Sequence, residues 1–228
     1  MSNICPIKMG ARRGKAQLEL GFSTWGGRRD GAGRKRAPGR RPCVPHRARG
    51  EHKARHPLHV TLRAGNGLPP FRQNALYEAM RDAIRKACGD AFRVVHFSVQ
   101  RDHVHLIIEA AGREALVRGV QGLAIRLARK INRTLGRAGQ VWGDRYHSRA
   151  LKTPRDVRHA IVYVLMNAKK HGERVAGGID PFSSAPWFDG IRNHAVLEQP
   201  APVMTARTWL AGKGWRRRGL IQPQEKPS

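Results

Sequence analysis

Between His56 and Gly172, strand-like and helix-like patterns of apolar residues follow each other in a definite order, and this order most constrains how the sequence can fold. Residues that alternate between apolar and polar predict four short strands, at 59–63, 92–100, 103–109 and 146–152. Helical spacing of apolar residues predicts three helices, at about 71–88, 116–135 and 154–171. This succession favours an antiparallel sheet with helices packed on one face. We therefore predict an α+β domain of the ferredoxin-like kind at residues 56–172.

The segments on either side of this domain have a different composition. Residues 1–55 contain fifteen Lys and Arg against three acidic residues, and the stretch Trp25–Gly39 is dense in Gly, Arg and Pro. Such a segment buries too little apolar surface to offset its ordering entropy, so we predict a disordered basic arm. The arm either lies along DNA or is a tail with no fixed role; in the first case its contacts include Arg28, Arg29, Arg34, Lys35 and Arg36. Residues 173–228 are rich in proline and predict an irregular basic C-terminal extension.

The net charge indicates the class of partner. The chain has 44 Lys and Arg against 16 Asp and Glu, a formal charge of +28. A polyanion relieves the self-repulsion of such a chain, and binding to phosphates is driven by the release of counterions. The charge therefore predicts a nucleic-acid partner. Charge alone specifies no chemistry, so a basic protein that contacts nucleic acid loosely remains an alternative.

Cysteine usage and hydropathy exclude several other classes. The three cysteines form no Cys-x-x-Cys pair, which argues against a zinc ribbon or a disulfide framework. No apolar run has the length of a membrane span or the pattern of a signal peptide. We therefore expect a cytoplasmic, DNA-associated protein with no membrane partner, either a monomer or a homodimer.

Two histidines lie two residues apart in a predicted strand. Side chains at i and i+2 of a strand point to the same face, so His103 and His105 project side by side. Two neutral imidazoles at this spacing can chelate one divalent ion. Asp102 and Glu109 bracket the pair and are candidates to orient a ring. A third ligand must come from elsewhere, and a chance alternation on a half-exposed strand is the alternative.

The last predicted helix carries Tyr163, one of only three tyrosines. At about 100° per residue, its apolar stripe leaves Tyr163 and Asn167 on a different, polar side. A phenol in this position can attack a phosphodiester and conserve the bond as a phosphotyrosine. Lys169 and Lys170, just beyond, are candidates to hold adjacent phosphates. The alternative is an ordinary tyrosine on a helix surface.

The combination of these motifs resembles a known family. His-hydrophobic-His in a strand, followed by Tyr-x-x-x-Asn in a helix and then Lys-His-Gly, is similar to the single-tyrosine HUH transposases, and most of all to the REP-associated tyrosine transposases. The resemblance extends from about His59 to His171 and includes an aromatic-basic stretch at 141–146, which contributes Arg145 as a predicted DNA contact. It implies an enzyme that acts on single-stranded or hairpin DNA.

The resemblance also assigns roles to residues. It implies that His103 and His105 are metal ligands with Asn167 as the third, and that Tyr163 is the nucleophile. Imidazole ligands on their own favour zinc, whereas the family implies Mg²⁺ or Mn²⁺ with the scissile phosphate and water completing the shell. We therefore predict a metal-dependent endonuclease and strand transferase for single-stranded DNA that forms a 5′-phosphotyrosine through Tyr163.

Three other functions remain as alternatives. The same scaffold can bind DNA hairpins without cleaving them, although intact His103, His105, Tyr163 and Asn167 argue against a loss of cleavage. A zinc-dependent hydrolase needs an activating Glu beside the ligands, and Glu109 is poorly placed for that role. A structural RNA-binding protein explains the charge but not the polar side of the tyrosine helix.

Overall fold

A computed structural model describes residues 51–170 and 175–227 of the chain. Its regular elements follow the predicted order, and the last predicted helix is divided into two. The strands are β1 (Leu58–Arg63), β2 (Phe92–Val99), β3 (His103–Ala110) and β4 (His147–Ala150). The helices are α1 (Asn74–Arg85), α2 (Arg113–Thr134), α3 (Pro154–Leu165), α4 (Asn167–Lys170) and α5 (Trp209–Gly212). None of the described helices combines the length and the apolar character needed to span a membrane.

The four strands form one antiparallel sheet in the order β2-β3-β1-β4. Each of the first two helices connects strands that are consecutive in the chain but not neighbours in the sheet, as in the β-α-β-β-α-β plan of ferredoxin-like folds. The predicted α+β fold class is thereby confirmed. β3 lies in the centre of the sheet, so residues on it are covered on both sides by other strands and on both faces by other elements.

The two faces of the sheet are covered by different helices. α1 and α2 pack on the face that carries Val60, Val104 and Leu106. α3 packs on the opposite face, against Ile107. The prediction that the helices lie on one face is therefore wrong for α3. The physical reason is that every residue of β2 and β3 is buried, so the sheet has a second face that needs an apolar cover.

Residues 175–227 complete the apolar layer that α3 begins on the second face of the sheet. They consist of α5, irregular chain and three short 3₁₀ turns, at Ala176–Gly178, Ala185–Trp187 and Gly214–Arg218. Trp215 and Ile221 are fully buried in the same cluster as α3. The described residues on both sides of residue 172 belong to one compact unit.

Glu109 fastens this segment to the sheet. Its buried carboxylate accepts hydrogen bonds from the backbone N–H groups of Arg207 and Thr208, and a third from the Thr208 hydroxyl, at 2.7–2.9 Å. Arg93, also buried, lies 3.9 Å from the same carboxylate. Glu109 thus holds the C-terminal segment, and the prediction that it orients one of the paired histidines is wrong.

A buried histidine of β2 lies under the C-terminal segment. His96 is 5% exposed, and its ring packs edge-on against Phe188 with ring centroids 4.5 Å apart. Its Nδ1 lies 3.4 Å from the Ser184 hydroxyl. Burial lowers the pKa of His96 to about 3, even though the nearby carboxylate of Asp189 acts in the opposite direction. The ring is therefore neutral in the folded protein at neutral pH.

This burial makes stability depend on pH. Because the pKa of His96 is lower in the folded chain than in the unfolded one, protonation favours unfolding, so its contribution to stability is complete above about pH 6.5 and falls as the pH drops toward 3. Each pH unit in that window costs about 1.4 kcal/mol for one such group. We expect His96→Gln to reduce the stability difference between pH 7 and pH 5 by on the order of 2 kcal/mol, measured by urea unfolding. An unchanged difference would contradict the assignment.

Candidate active site

The two histidines of β3 point toward each other on the face covered by α3. His103 and His105 are 7% and 4% exposed, and their Nε2 atoms lie 3.0 Å apart. The alternation of β3 places both rings on this face because the apolar residues between and after them fill the other core. The centre of the sheet thus presents two imidazole nitrogens to one point in space.

His103 is oriented by the residue that precedes it. Its Nδ1 lies 2.6 Å from the carboxylate of Asp102, which also accepts a hydrogen bond from Arg63 at 3.0 Å. Burial of Asp102 on its own raises the pKa of that carboxyl, but the hydrogen bond from His103 and the charges around it outweigh this effect and lower the pKa. The ionised carboxylate favours a proton on Nδ1 of His103, which leaves the Nε2 lone pair for a ligand.

His105 is oriented by β1. Its Nδ1 lies 3.1 Å from the Thr61 hydroxyl and 3.1 Å from Nε2 of His59. Thr61 is the direct partner of His105 in the β1–β3 register, so the contact follows from the strand pairing. A proton on Nδ1 of His105 satisfies this arrangement, and its Nε2 lone pair then faces that of His103.

His59 belongs to the site although the sequence analysis did not include it. Burial lowers the pKa of His59 to about 4, and the positive charge near it on β4, at His147 and Arg149, lowers the pKa further. Its ring also lies beside that of Tyr163, with centroids 5.6 Å apart. The alternation of β1 places His59 and Thr61 on one face, but only the pairing of β1 with β3 brings that face to His105.

Tyr163 is positioned by α3, whose start is well defined. Thr153 and Asp156 form a reciprocal capping box, and Pro154 occupies the first turn. Ten residues after Thr153, the Tyr163 ring meets His105 edge-on, with centroids 5.1 Å apart and planes at 75°. Tyr163 is half-buried, and its ring neighbours include the imidazoles of His59 and His105. The predicted polar side of the helix therefore faces the histidine pair.

Asn167 lies just past a break in the helix. α3 ends at Leu165, Met166 departs from helical geometry, and Asn167 begins α4. The side chain is fully buried, and neither its amide oxygen nor its amide nitrogen has a hydrogen-bond partner among the described residues. Burying an amide without partners costs about 1–3 kcal/mol, so this side chain is suited to a ligand that the chain itself does not supply.

The histidine pair fits a divalent ion. The two Nε2 atoms lie 3.0 Å apart, close enough for one cation to contact both. With metal–nitrogen distances of about 2.1 Å, two ligand atoms of one ion lie about 3.0–3.4 Å apart, so the separation of the two nitrogens is compatible with a shared divalent ion. Within residues 51–170 and 175–227, no three His, Cys, Asp or Glu side chains form a metal-binding group, so a third ligand from this part of the chain would be of another type, such as Asn167.

The predicted DNA contacts differ in how accessible they are. Arg145 is exposed in the turn before β4. Lys169 is half-buried, and its ammonium donates to the Pro223 carbonyl and lies 3.4 Å from the Met166 sulfur. Burial lowers the pKa of Lys169. The C-terminal segment thus occupies Lys169, which the sequence predicted to hold a phosphate. The remaining predicted contacts, which are the side chain of Lys170 and Arg28, Arg29, Arg34, Lys35 and Arg36, lie outside the described residues.

Comparisons with known proteins agree with this architecture. Residues 55–164, which run from β1 to the last turn of α3, match the family model described as "Transposase IS200 like". Among solved structures, the chain is similar to a REP-associated tyrosine transposase bound to a REP hairpin, with a TM-score of 0.50 and 21% sequence identity. That match covers 62% of this chain and 82% of the other. No curated protein matches the sequence.

Proposed function

Residues 55–164 belong to the family of IS200-like transposases, and we propose that this domain cuts and rejoins single-stranded DNA through Tyr163. The observation that carries the proposal is the position of Tyr163, whose ring lies against His105 while Nε2 of His105 lies 3.0 Å from Nε2 of His103. A phenol ring thus lies beside two imidazole nitrogens, which supports the proposed role of Tyr163. The family supplies the substrate class, since transposases process DNA.

The chemistry requires one covalent step in each direction. The phenolic oxygen of Tyr163 attacks the scissile phosphorus, a P–O–Tyr bond forms, and the bond from phosphorus to the 3′ oxygen breaks. The leaving 3′ oxygen takes up a proton, and the phenol gives one up. The product is a 5′-phosphotyrosine, and attack by a 3′-hydroxyl reverses the step and joins the strands.

The surrounding residues support that step without taking part in it covalently. A Mg²⁺ or Mn²⁺ ion bound by His103, His105 and Asn167 would polarise the scissile phosphate. Asp102 and Thr61 hold the two imidazoles in the tautomers that expose Nε2. The packing of α3 against Ile107 fixes the distance between Tyr163 and the sheet. These contacts preorganise the site before DNA arrives.

Detection of the covalent intermediate tests the proposal. Purified protein is incubated with hairpin DNA that carries an unpaired, end-labelled tail and with Mn²⁺, and a labelled band that survives denaturation is expected. The label should appear on the protein only when it lies on the 3′ side of the cleavage point. If the protein binds the hairpin but yields no adduct with either Mn²⁺ or Mg²⁺, the chain is a DNA-binding module on the same scaffold.

The N-terminal arm should contribute to affinity and not to folding. Deletion of residues 1–50 removes thirteen of the 44 Lys and Arg residues and leaves in place the buried side chains of the described core, from Leu58 to Ile221. We expect weaker DNA binding and a shallower dependence of log K on log salt, because fewer counterions are released. The melting temperature should change little. A truncated protein that fails to fold, or that keeps the full salt dependence, would contradict this assignment.

A further inference from the structure

An unneutralised basic surface lies beside the first turn of α3. A concavity of about 540 Å³ is lined by Thr153, Pro154, Arg155, Arg217 and Arg218. All three arginines are exposed, and no acidic side chain among the described residues pairs with them. The nearby carboxylates are already engaged, since Asp156 pairs with Arg149, Glu225 with Arg158 and Asp189 with Arg216. Three arginine side chains therefore line one concavity without a counter-charge from the described residues.

An exposed aromatic side chain adjoins this concavity. Trp209 is 50% exposed, the highest fraction among the large apolar side chains described. The guanidinium of Arg217 lies over its ring, 5.2 Å from the centroid. The ring rests on Gly214, where a Cβ atom would come within 2.7 Å of it. Arg217 thus joins the aromatic surface to the basic concavity.

The two features are held rigidly to the helix that carries Tyr163. The 3₁₀ turn Gly214–Arg218 packs on α3 through Trp215, which is 1% exposed. Arg158 of α3 donates to the carbonyls of Gly219 and Leu220 just after this turn. Eight residues separate Arg155 from Tyr163 on α3, which is about 12 Å along the helix axis. A few nucleotides of a single strand span that distance.

We infer that Trp209, Arg217, Arg218 and Arg155 form a binding site for unpaired DNA next to the cleavage position. A nucleobase stacks on the Trp209 ring in place of the Arg217 guanidinium, and the released Arg217 holds the adjoining phosphates together with Arg218 and Arg155, the combination by which proteins bind single strands. The backbone N–H groups at the start of α3 are not the phosphate ligands, because the Thr153–Asp156 capping box already uses this end of the helix. The inference rests on the proposed function only in identifying the nucleic acid as DNA and the position of cleavage as Tyr163.

Binding measurements in a cleavage-deficient protein test this site. The parent is the full-length chain with Tyr163→Phe, and the probes are a fluorescent 15-nucleotide oligothymidine and a blunt hairpin without an unpaired tail. Trp209→Ala should weaken binding to oligothymidine by about tenfold or more, because the stacking of one base is lost, while Trp209→Phe retains most of it. Binding to the blunt hairpin should change much less.

The arginines are tested by salt dependence. The double substitution Arg217→Ala and Arg218→Ala should make the slope of log K against log salt shallower by about 1.4 for oligothymidine, since each single-strand phosphate contact contributes about 0.7. The matched control is Arg126→Ala with Arg129→Ala, which removes two exposed arginines from α2 on the opposite face of the sheet. That control should leave the slope close to that of the parent.

The outcomes separate this site from the proposed function. The inference is overturned if Trp209→Ala binds oligothymidine as the parent does, or if the α2 control lowers the slope as much as the Arg217 and Arg218 pair. A wild-type protein that never cleaves DNA, but whose binding depends on Trp209, refutes the proposed function and supports the site. If the wild-type protein cleaves DNA but Trp209→Ala leaves its binding unchanged, the proposed function is supported and the site is refuted.

Discussion

Replacing Tyr163 by phenylalanine is expected to abolish DNA cleavage and the covalent adduct while binding and folding persist. The substitution removes one oxygen, and the ring keeps its edge contacts with His105 and His59. Stability should therefore change by less than about 1 kcal/mol. Cleavage should fall by about four orders of magnitude or more, the scale on which loss of a nucleophile acts. Gel-shift affinity, thermal unfolding and the yield of cleaved DNA measure the three effects.

Tyr146→Phe is the matched control for that substitution. Tyr146 is half-buried and packs against the core formed by α1, α2 and the sheet, on the face away from the histidine pair. The Tyr146→Phe protein should cleave DNA at close to the wild-type rate. If Tyr146→Phe abolished the adduct and Tyr163→Phe did not, the nucleophile would have to be reassigned to Tyr146.

Replacing His103 by alanine is expected to have an effect of similar size, through the ion instead of the nucleophile. The substitution removes one of the two nitrogens that converge at 3.0 Å and leaves His105 without its partner. We expect the divalent-ion affinity and the cleavage rate both to fall by at least a thousandfold, with added Mn²⁺ restoring activity only in part. Chelation of the ion should abolish cleavage by the wild-type protein reversibly.

Two further variants make the His103 result specific. Asp102→Asn keeps both ligands but removes the carboxylate that orients His103, so it should weaken ion affinity by about 10–100-fold and be rescued by more Mn²⁺. His159→Ala removes an exposed histidine of α3 and should have no effect on the ion. Manganese titrations of cleavage and calorimetric ion binding separate the three variants. If His103→Ala cleaved DNA at the full rate without added Mn²⁺, an ion bound by His103 would be excluded.

Local patterns in the sequence were sufficient to predict the placement of site residues relative to others on the same strand or helix. The two-residue period of a strand determines that His103 and His105 share a face, whatever the strand pairs with. The helical period likewise places Tyr163 away from the apolar stripe of its helix. The capping box at Thr153 and Asp156 fixes where that helix begins. Each of these inferences depends only on backbone geometry within a dozen residues.

The position of Asn167 is a case in which a local pattern was incomplete. A single helix to residue 171 was predicted, and it would place Asn167 one turn after Tyr163 on a polar surface. The structure instead ends α3 at Leu165, and Asn167 is fully buried in α4. No residue type at this point marks the break, because neither Gly nor Pro is present between Tyr163 and Lys170.

The sequence by itself determined the fold class, the shared face of the histidine pair and the polar side of the tyrosine helix. Only the tertiary structure decided that His59 and Thr61 meet His105, that α3 covers the second face of the sheet, and that Glu109 holds the C-terminal segment. The reason is that these contacts join residues 44–99 positions apart. Strand pairing and burial of two apolar faces select such contacts, and both depend on the whole chain and not on the periodicity of any one segment.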